Sequence, residues 1–485
     1  MGKLENLEPQ RVWQYFEEIT QIPRPSKKEE KIRAYLLNFA AKHHLEAQTD
    51  KIGNVLIKKA ATPGAENAKT VILQSHMDMV CEKNADKEFN FETDAIELLI
   101  DGEWLKADGT TLGADNGIGI AASLAVLASN DLEHGAIECL FTVDEETGLT
   151  GAFALQEGFI SGEILLNLDS EDDGEIFVGC AGGIDTLAKL PLKFEPMPVG
   201  SFALQFEVGG LMGGHSGDDI NKGRGNANKI LARFLKRMSE ELGLRMVDFK
   251  GGNLRNAIAR EAQAIAIVPQ AKKEHVVAEF NVFAAEIIAE YQYTDNGVQF
   301  KHQSLALPEQ VLTLESQEKL LNLILACPHG VLVMSSRMPG MVETSINLAS
   351  VNIDNHYANI TTSQRSEIDS RKYAAAQMVR AVFELAGAEV VHSDGYPGWT
   401  PNAKSYIAQV AADCYENLFN EAPAIKSIHA GLECGLFLQK YPHLDMVSIG
   451  PTIRNPHSPD ERIHIQHTEK FWLHLLDILK RVAQD

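Results

Sequence analysis

Short apolar runs in this chain end, again and again, in an acid or an imidazole. TVILQS from Thr70 runs into His76, AIECLFTV from Ala136 into Glu145 and Glu146, and EILLNLD from Glu163 closes on Asp169, while His457 stands in the loop after DMVSIG. Leucine-rich and β-branched runs of this length, bounded by polar turns, read as buried strands. Helical stretches such as 118–128 and 471–482 separate several of them. The alternation predicts an α/β fold, a mostly parallel mixed sheet flanked by helices. Open sheets of that kind gather their sites at the carboxyl ends of strands, so the polar motifs are expected to meet on one rim.

Those motifs stand on both sides of a segment of different character. Between about 185 and 392 the runs at 201–208, 263–268, 343–349 and 351–362 read as longer alternating strands, and Ala227, Ile230, Leu231, Phe234, Leu235 and Met238 form one helical stripe. An α+β lid domain inserted at 185–392 leaves a discontinuous catalytic domain, 1–184 and 393–485. Length agrees, because 485 residues exceed what one hydrophobic core serves. Ser26 and Glu29 read as a capping box for the helix of Ile32, Tyr35, Leu36 and Phe39, and the polar stretch 294–303 as a loop.

Bulk charge narrows the partners. Lys and Arg total 44 against 67 Asp and Glu, and a net charge of −23 argues against nucleic acid or an anionic membrane. None of the six cysteines forms a CxxC pair, which suits reduced thiols and a cytosolic home. MGKLENLEPQRVWQYFEEI holds no apolar signal core, Asn6 stands where a myristoylation motif wants Ser or Thr, and no apolar run approaches a membrane span.

The motifs SHMDM, GADNG, DEETG, NLDSE and NPHSPDE supply the chemistry. Taken singly, each has an ordinary reading as a core histidine, a solvated acidic pair or a turn. As a set they are the ligands of a two-metal hydrolase, which needs one carboxylate able to bind both ions and further ligands on each outer side. Asp115 is the bridging candidate; His76 and Asp169 complete one position, Glu146 and His457 the other. Asp78, two residues beyond His76, orients its imidazole. Glu145 is left free to take a proton from water and act as general base. His215 in GGHSG, exposed by flanking glycines, is a candidate for stabilising an oxyanion. Asn256 and Arg365 are candidate anchors for a substrate carboxylate, and His429 and Glu433 in IHAGLECG candidate cleft residues. GIGIAAS from Gly117 has the glycines of a dinucleotide loop, but no strand leads into it; there is no HExxH, GxSxG or P-loop.

These motifs resemble the dinuclear zinc exopeptidase family of carboxypeptidase G-like enzymes, aminoacylases, peptidase T-like tripeptidases and dipeptidases, most closely its aminoacyl-histidine dipeptidase branch. The likeness runs nearly end to end, through IPRPSKKEE, TTLGADNGIG, LMGGHSG, GNANKILARFL, LRNAI, YPGW, HAGLECG and GPTIRNPHSPDE. It implies the same ligands, with Asp115 bridging two Zn2+ per chain and Mn2+ or Co2+ as substitutes. It also implies Asp78 and Glu145 in the roles above, a cis peptide bond after Asp115, and His215 acting from the lid, often across a homodimer. The expected function is a cytosolic metallo-dipeptidase for unblocked dipeptides, Xaa-His among them. The alternatives are an N-acyl amino acid amidohydrolase or a tripeptidase and, from another class, a metal-binding protein without catalysis.

Overall fold

Two compact units make up the chain in the computed structural model, which describes residues 2–354 and 356–485. Met1–Gly179, Trp399–Ser427 and Leu432–Asp485 form the first, Cys180–Gly398 and Ile428–Gly431 the second. The breaks fall a few residues outside the expected 184/185 and 392/393. The strand Gly182–Pro191 pairs along its whole length with Tyr357–Ser366, which carries the chain from 182 onward into the second unit, and the Gly183 bridge to Tyr396 does the same at the far end.

The first unit is built on an eight-stranded mixed sheet. Its order is Glu46–Thr49, Val55–Lys59, Ile137–Thr142, Val71–His76, Ile164–Asn167, Asp445–Ser448, Glu175–Cys180 and Ala424–Ile428. The central four strands run parallel, while Val55–Lys59 and Glu175–Cys180 join them antiparallel. Val71–His76, Ile137–Thr142 and Ile164–Asn167 are buried at every position, as parallel strands covered on both faces must be. Register then lines up the ends: His76 lies opposite Thr142, and Asn167 opposite both Gln74 and Ser448. The helix Ala114–Ala128 is apolar nearly all round and accordingly buried over most of its length. A smaller sheet of Leu98–Asp101, Trp104–Ala107, Arg462–His464 and Ile453–Arg454 presents the turn that carries His457.

The expected capping box is not formed. The helix Glu30–Lys42 starts without a side-chain cap; Ser26 Oγ instead donates to Asp78 Oδ2 at 2.8 Å, and Glu29 Oε1 accepts from Asp144 N at 2.9 Å. The Asp78 carboxylate and the Asp144 amide take up the two side chains instead.

The second unit is an antiparallel sheet in the order Gln299–Leu305, Ser201–Gly209, Ala262–Pro269, Arg245–Gly251, Val342–Asp354, Tyr357–Ser366, Gly182–Pro191 and Glu389–His392, with Gly330–Met334 also pairing Val342–Asp354. Two expectations need correction here. The stretch 294–303 is a loop only at its start, since Gln299–Leu305 pairs with Ser201–Gly209 as an edge strand, polar because it is exposed. The expected strand 351–362 is split between Val342–Asp354 and Tyr357–Ser366, and Asn355 between them lies outside the described residues.

Ser201–Gly209 alternates, sending Leu204, Phe206 and Val208 inward. They meet the stripe of Ala227–Leu242, whose first amides are capped by the Asn226 side chain. Phe234 sits fully buried among Phe206, Phe280 and Phe283, with ring centroids 5.0, 4.8 and 5.6 Å away. Phe234→Ala is therefore expected to destabilise this unit by about 3–5 kcal/mol, read as a lower urea midpoint for its transition.

Candidate metal centre and a polar cluster in the second unit

Four of the predicted residues are placed by strand ends or by the helix that follows one. His76 closes Val71–His76; Glu145 and Glu146 open the short helix Glu145–Gly148 just after Ile137–Thr142; Asp169 follows Ile164–Asn167 by two residues. Asp115 opens the buried helix Ala114–Ala128, and the Asp115–Asn116 peptide bond is cis. His457 comes from the turn of the smaller sheet and is half-exposed.

The arrangement centres on Asp115. Its Oδ1 lies 2.9 Å from His76 Nε2 and its Oδ2 3.1 Å from His457 Nε2, so the two carboxylate oxygens face different imidazoles. His76 Nε2 is also 3.3 Å from Asp169 Oδ1, and His457 Nε2 3.1 Å from Glu146 Oε2. Ligand atoms of His76, Asp115 and Asp169 lie within 4.8 Å of one another, and so do those of Asp115, Glu146 and His457. Two triads thus share one carboxylate. Glu145 falls within the same distance of His76 and Glu146.

Asp78 serves two purposes. Its Oδ1 faces His76 Nδ1 at 3.3 Å, leaving Nε2 for the centre, and its two oxygens accept from Glu145 N at 3.0 Å and Glu146 N at 3.2 Å. The same carboxylate therefore faces the imidazole and holds, through two amides, the turn that carries the acidic pair. Glu29, Asp78 and Asp144 also lie close together, fully buried, but each is taken up by backbone amides or hydroxyls.

Charge crowding shifts these groups in opposite directions. Burial pushes the Asp169 carboxyl up to about 6, and it likewise raises Glu146 and, well above the carboxylate range, Glu145. Burial alone would lower the two imidazoles, yet the surrounding carboxylates win: His457 rises to about 11, and His76 also lies well above its usual value. Burial opposes ionisation of Asp115 too, but its hydrogen bonds with His457 and His76 hold it below the carboxylate range.

A cation suits this set. Glu146 Oε1 is buried and accepts no hydrogen bond, a costly state for an anionic oxygen unless a positive charge faces it, and Asp169 Oδ1 has only His76 Nε2, at 3.3 Å, before it. Imidazole nitrogen mixed with carboxylate oxygen is a donor set for zinc, manganese or cobalt.

The substrate-binding candidates divide between the units. His215, Arg365 and His429 gather in the second. Arg365, buried, donates to Tyr396 Oη at 2.9 Å and Ser216 Oγ at 3.3 Å, and its Nη2 lies 3.4 Å from His215 Nε2. His215 Nδ1 in turn lies 3.2 Å from the Asp218 carboxylate. His429 pairs with Ser345 Oγ at 2.8 Å, and burial drives its pKa down to about 3, so it is neutral. Asn256 is an exposed turn residue whose carbonyl accepts from Ser216 N at 2.8 Å. Glu433 belongs to the first unit and is fully buried, accepting from Gln74 Nε2 at 2.6 Å and Thr142 Oγ1 at 2.8 Å, and burial raises it to about 7.

Sequence reading passed over Tyr396, Ser216, Asp218 and Ser345, since a lone hydroxyl or acid carries no periodic signal. It also passed over two buried charges, Arg24 and Glu461, although both lie inside quoted motifs.

A family model described as peptidase family M20/M25/M40 matches residues 72–483. The cytosol non-specific dipeptidase of Escherichia coli strain K12 is 44% identical over 482 residues, 99% of each chain. The crystal structure of an aminoacylhistidine dipeptidase from Vibrio alginolyticus aligns with a TM-score of 0.87 at 45% identity, covering 99% of this chain and 98% of that one. A tripeptidase structure from Staphylococcus aureus shares the fold at 18% identity and a TM-score of 0.59, covering 99% of this chain and 100% of that one. With the match running from the strand of His76 into the last helix, and with imidazoles and carboxylates gathered at the strand ends it spans, the chain belongs to peptidase family M20/M25/M40 and is a metallopeptidase.

Proposed function

We propose that this chain is a cytosolic dipeptidase that hydrolyses unblocked dipeptides, Xaa-His among them, with two zinc ions held by His76, Asp115, Glu146, Asp169 and His457. One observation carries the reading: Asp115 turns one oxygen to His76 and the other to His457, the arrangement a bridging carboxylate requires. When bound, the ion pair supplies Lewis acidity, lowering the pKa of water and polarising a carbonyl. Glu145 Oε takes the proton from the attacking water and delivers it to the leaving amine, a role its place beside His76 and Glu146, outside the two triads, leaves open to it. Arg365 has no carboxylate within ion-pair distance among the described residues, which suits it to a substrate carboxylate, and His215 offers an imidazole suited to an oxyanion. The absence of a disulfide among the described residues and the cytosolic relative support the compartment; no helix among the described residues is long and apolar enough to cross a membrane.

A panel of Xaa-His and other dipeptides, tripeptides and N-acetylated amino acids, assayed with chelator and after zinc is restored, tests this reading. The expected result is chelator-sensitive cleavage confined to unblocked dipeptides. Cleavage of blocked amino acids or tripeptides would move the chain to a sibling activity. Zinc binding without any cleavage would make it a metal-binding protein.

A further inference from the structure

Two opposite charges, each only 2% exposed, lie beneath the proposed centre without touching a ligand side chain. Glu461 Oε2 accepts from Leu112 N at 2.8 Å and Gly113 N at 2.9 Å, while Oε1 accepts from Ala114 N at 2.8 Å and Asp115 N at 3.3 Å. Four consecutive amides therefore close around one carboxylate, ending on the residue shared by both triads. Glu461 also closes the turn that follows His457, its own amide donating to Ser458 O at 3.0 Å.

Arg24 acts on the other side of the same loop. Its Nη1 donates to Met77 O at 3.1 Å and Asp78 O at 2.7 Å, and its Nη2 to Gly113 O at 2.5 Å. Gly113 is thus held by its amide from Glu461 and by its carbonyl from Arg24. Its φ of +70° and the 2.5 Å that would separate a Cβ from Arg24 Nη2 leave room only for glycine.

We propose that Arg24 and Glu461 are positioning residues for the metal centre, a buried clamp that locks the segments after His76, before Asp115 and around His457 into one spacing. The inference rests on the two-metal reading above. Only ionised side chains fit both places: a carboxylate offers acceptor sites for all four amides, whereas a carboxamide offers one oxygen, and the guanidinium fork reaches carbonyls on two loops at once. Buried charges are kept where hydrogen bonds and a nearby opposite charge compensate them, and here each faces the other across Gly113.

Glu461→Gln in the full chain tests the clamp, with zinc affinity measured by competition with a chromophoric chelator and stability measured by urea unfolding of the metal-free protein. Glu138→Gln is the control. That buried carboxylate also accepts from backbone amides, Ser161 N at 2.8 Å and Gly162 N at 3.1 Å, but it lies toward the amino end of its strand, away from the centre. Both variants are expected to lose metal-free stability, but only Glu461→Gln to lose zinc affinity, by about 10- to 100-fold, the range for groups that orient ligands. Unchanged zinc affinity in folded Glu461→Gln would overturn the proposal and leave the residue a helix cap. If that variant does not fold, Arg24→Lys, which keeps the charge and removes the fork, carries the test with the same expected loss, and wild-type affinity in it would overturn the clamp. A wild-type chain binding fewer than two zinc ions would instead bring down the two-metal reading, and the clamp with it.

Discussion

Glu145→Gln is expected to lower kcat on dipeptides by on the order of 10²- to 10⁴-fold, the range attributed to a positioned general base, while the chain keeps two zinc ions. The residue has the surroundings of a proton carrier. Its backbone is pinned by Asp78, and its carboxyl lies within 4.8 Å of ligand atoms on His76 and Glu146. Gln keeps the shape and removes only the ability to accept and return a proton. Distance alone also allows a different role, because His76, Glu145 and Glu146 form a metal-sized group of their own. Metal content beside kcat separates the two: a base loses rate and keeps both ions, whereas a ligand loses an ion as well. Wild-type kcat in this variant would rule out the proton-transfer step.

Much of the first unit was legible because its signals are local. Strands buried on both faces leave unbroken runs such as TVILQS and EILLNLD, and the rule that open sheets work at their carboxyl ends then groups His76, Glu145, Glu146 and Asp169 without knowledge of the pairing. Asp115 and His457 are different. One opens a helix and the other stands in a turn at φ +60°, and only their motifs marked them. The antiparallel flanks of the sheet were not legible, since a short run such as VLIKK, one strand in from the edge, reads alike in either direction. Polarity misled at 294–303, where an exposed edge strand carries the composition of a loop. Ser26 and Glu29 had the spacing of a capping box, but Asp78 and the amide of Asp144 compete for the same side chains and win. His429 and Glu433, four residues apart in one motif, ended in different units, one paired with Ser345 and the other with Gln74 and Thr142. Periodicity cannot report such partners, because each contact joins residues far apart in the chain.

Asp115→Asn is expected to remove more metal than any other single substitution in the centre, taking the chain from two zinc ions to one or none and activity down by on the order of 10³-fold or more. The argument is electrostatic. Unit charges about 4 Å apart interact by ~4 kcal/mol at an effective dielectric of 20, and two dications repel roughly four times as strongly. A pair of ions at that spacing therefore needs an anion between them. Among the described residues, Asp115 is the one side chain with one carboxylate oxygen within 3.1 Å of each of the two imidazoles. Asp169 comes within ion-pair distance of His76 alone, and Glu146 of His457 alone, so Asp169→Asn should cost one ion and leave the other. Metal per chain after gel filtration in metal-free buffer, set beside kcat, reads the difference. Equal losses in the two variants would mean that Asp115 is an ordinary ligand of one ion, and two ions retained in Asp115→Asn would place the bridge elsewhere.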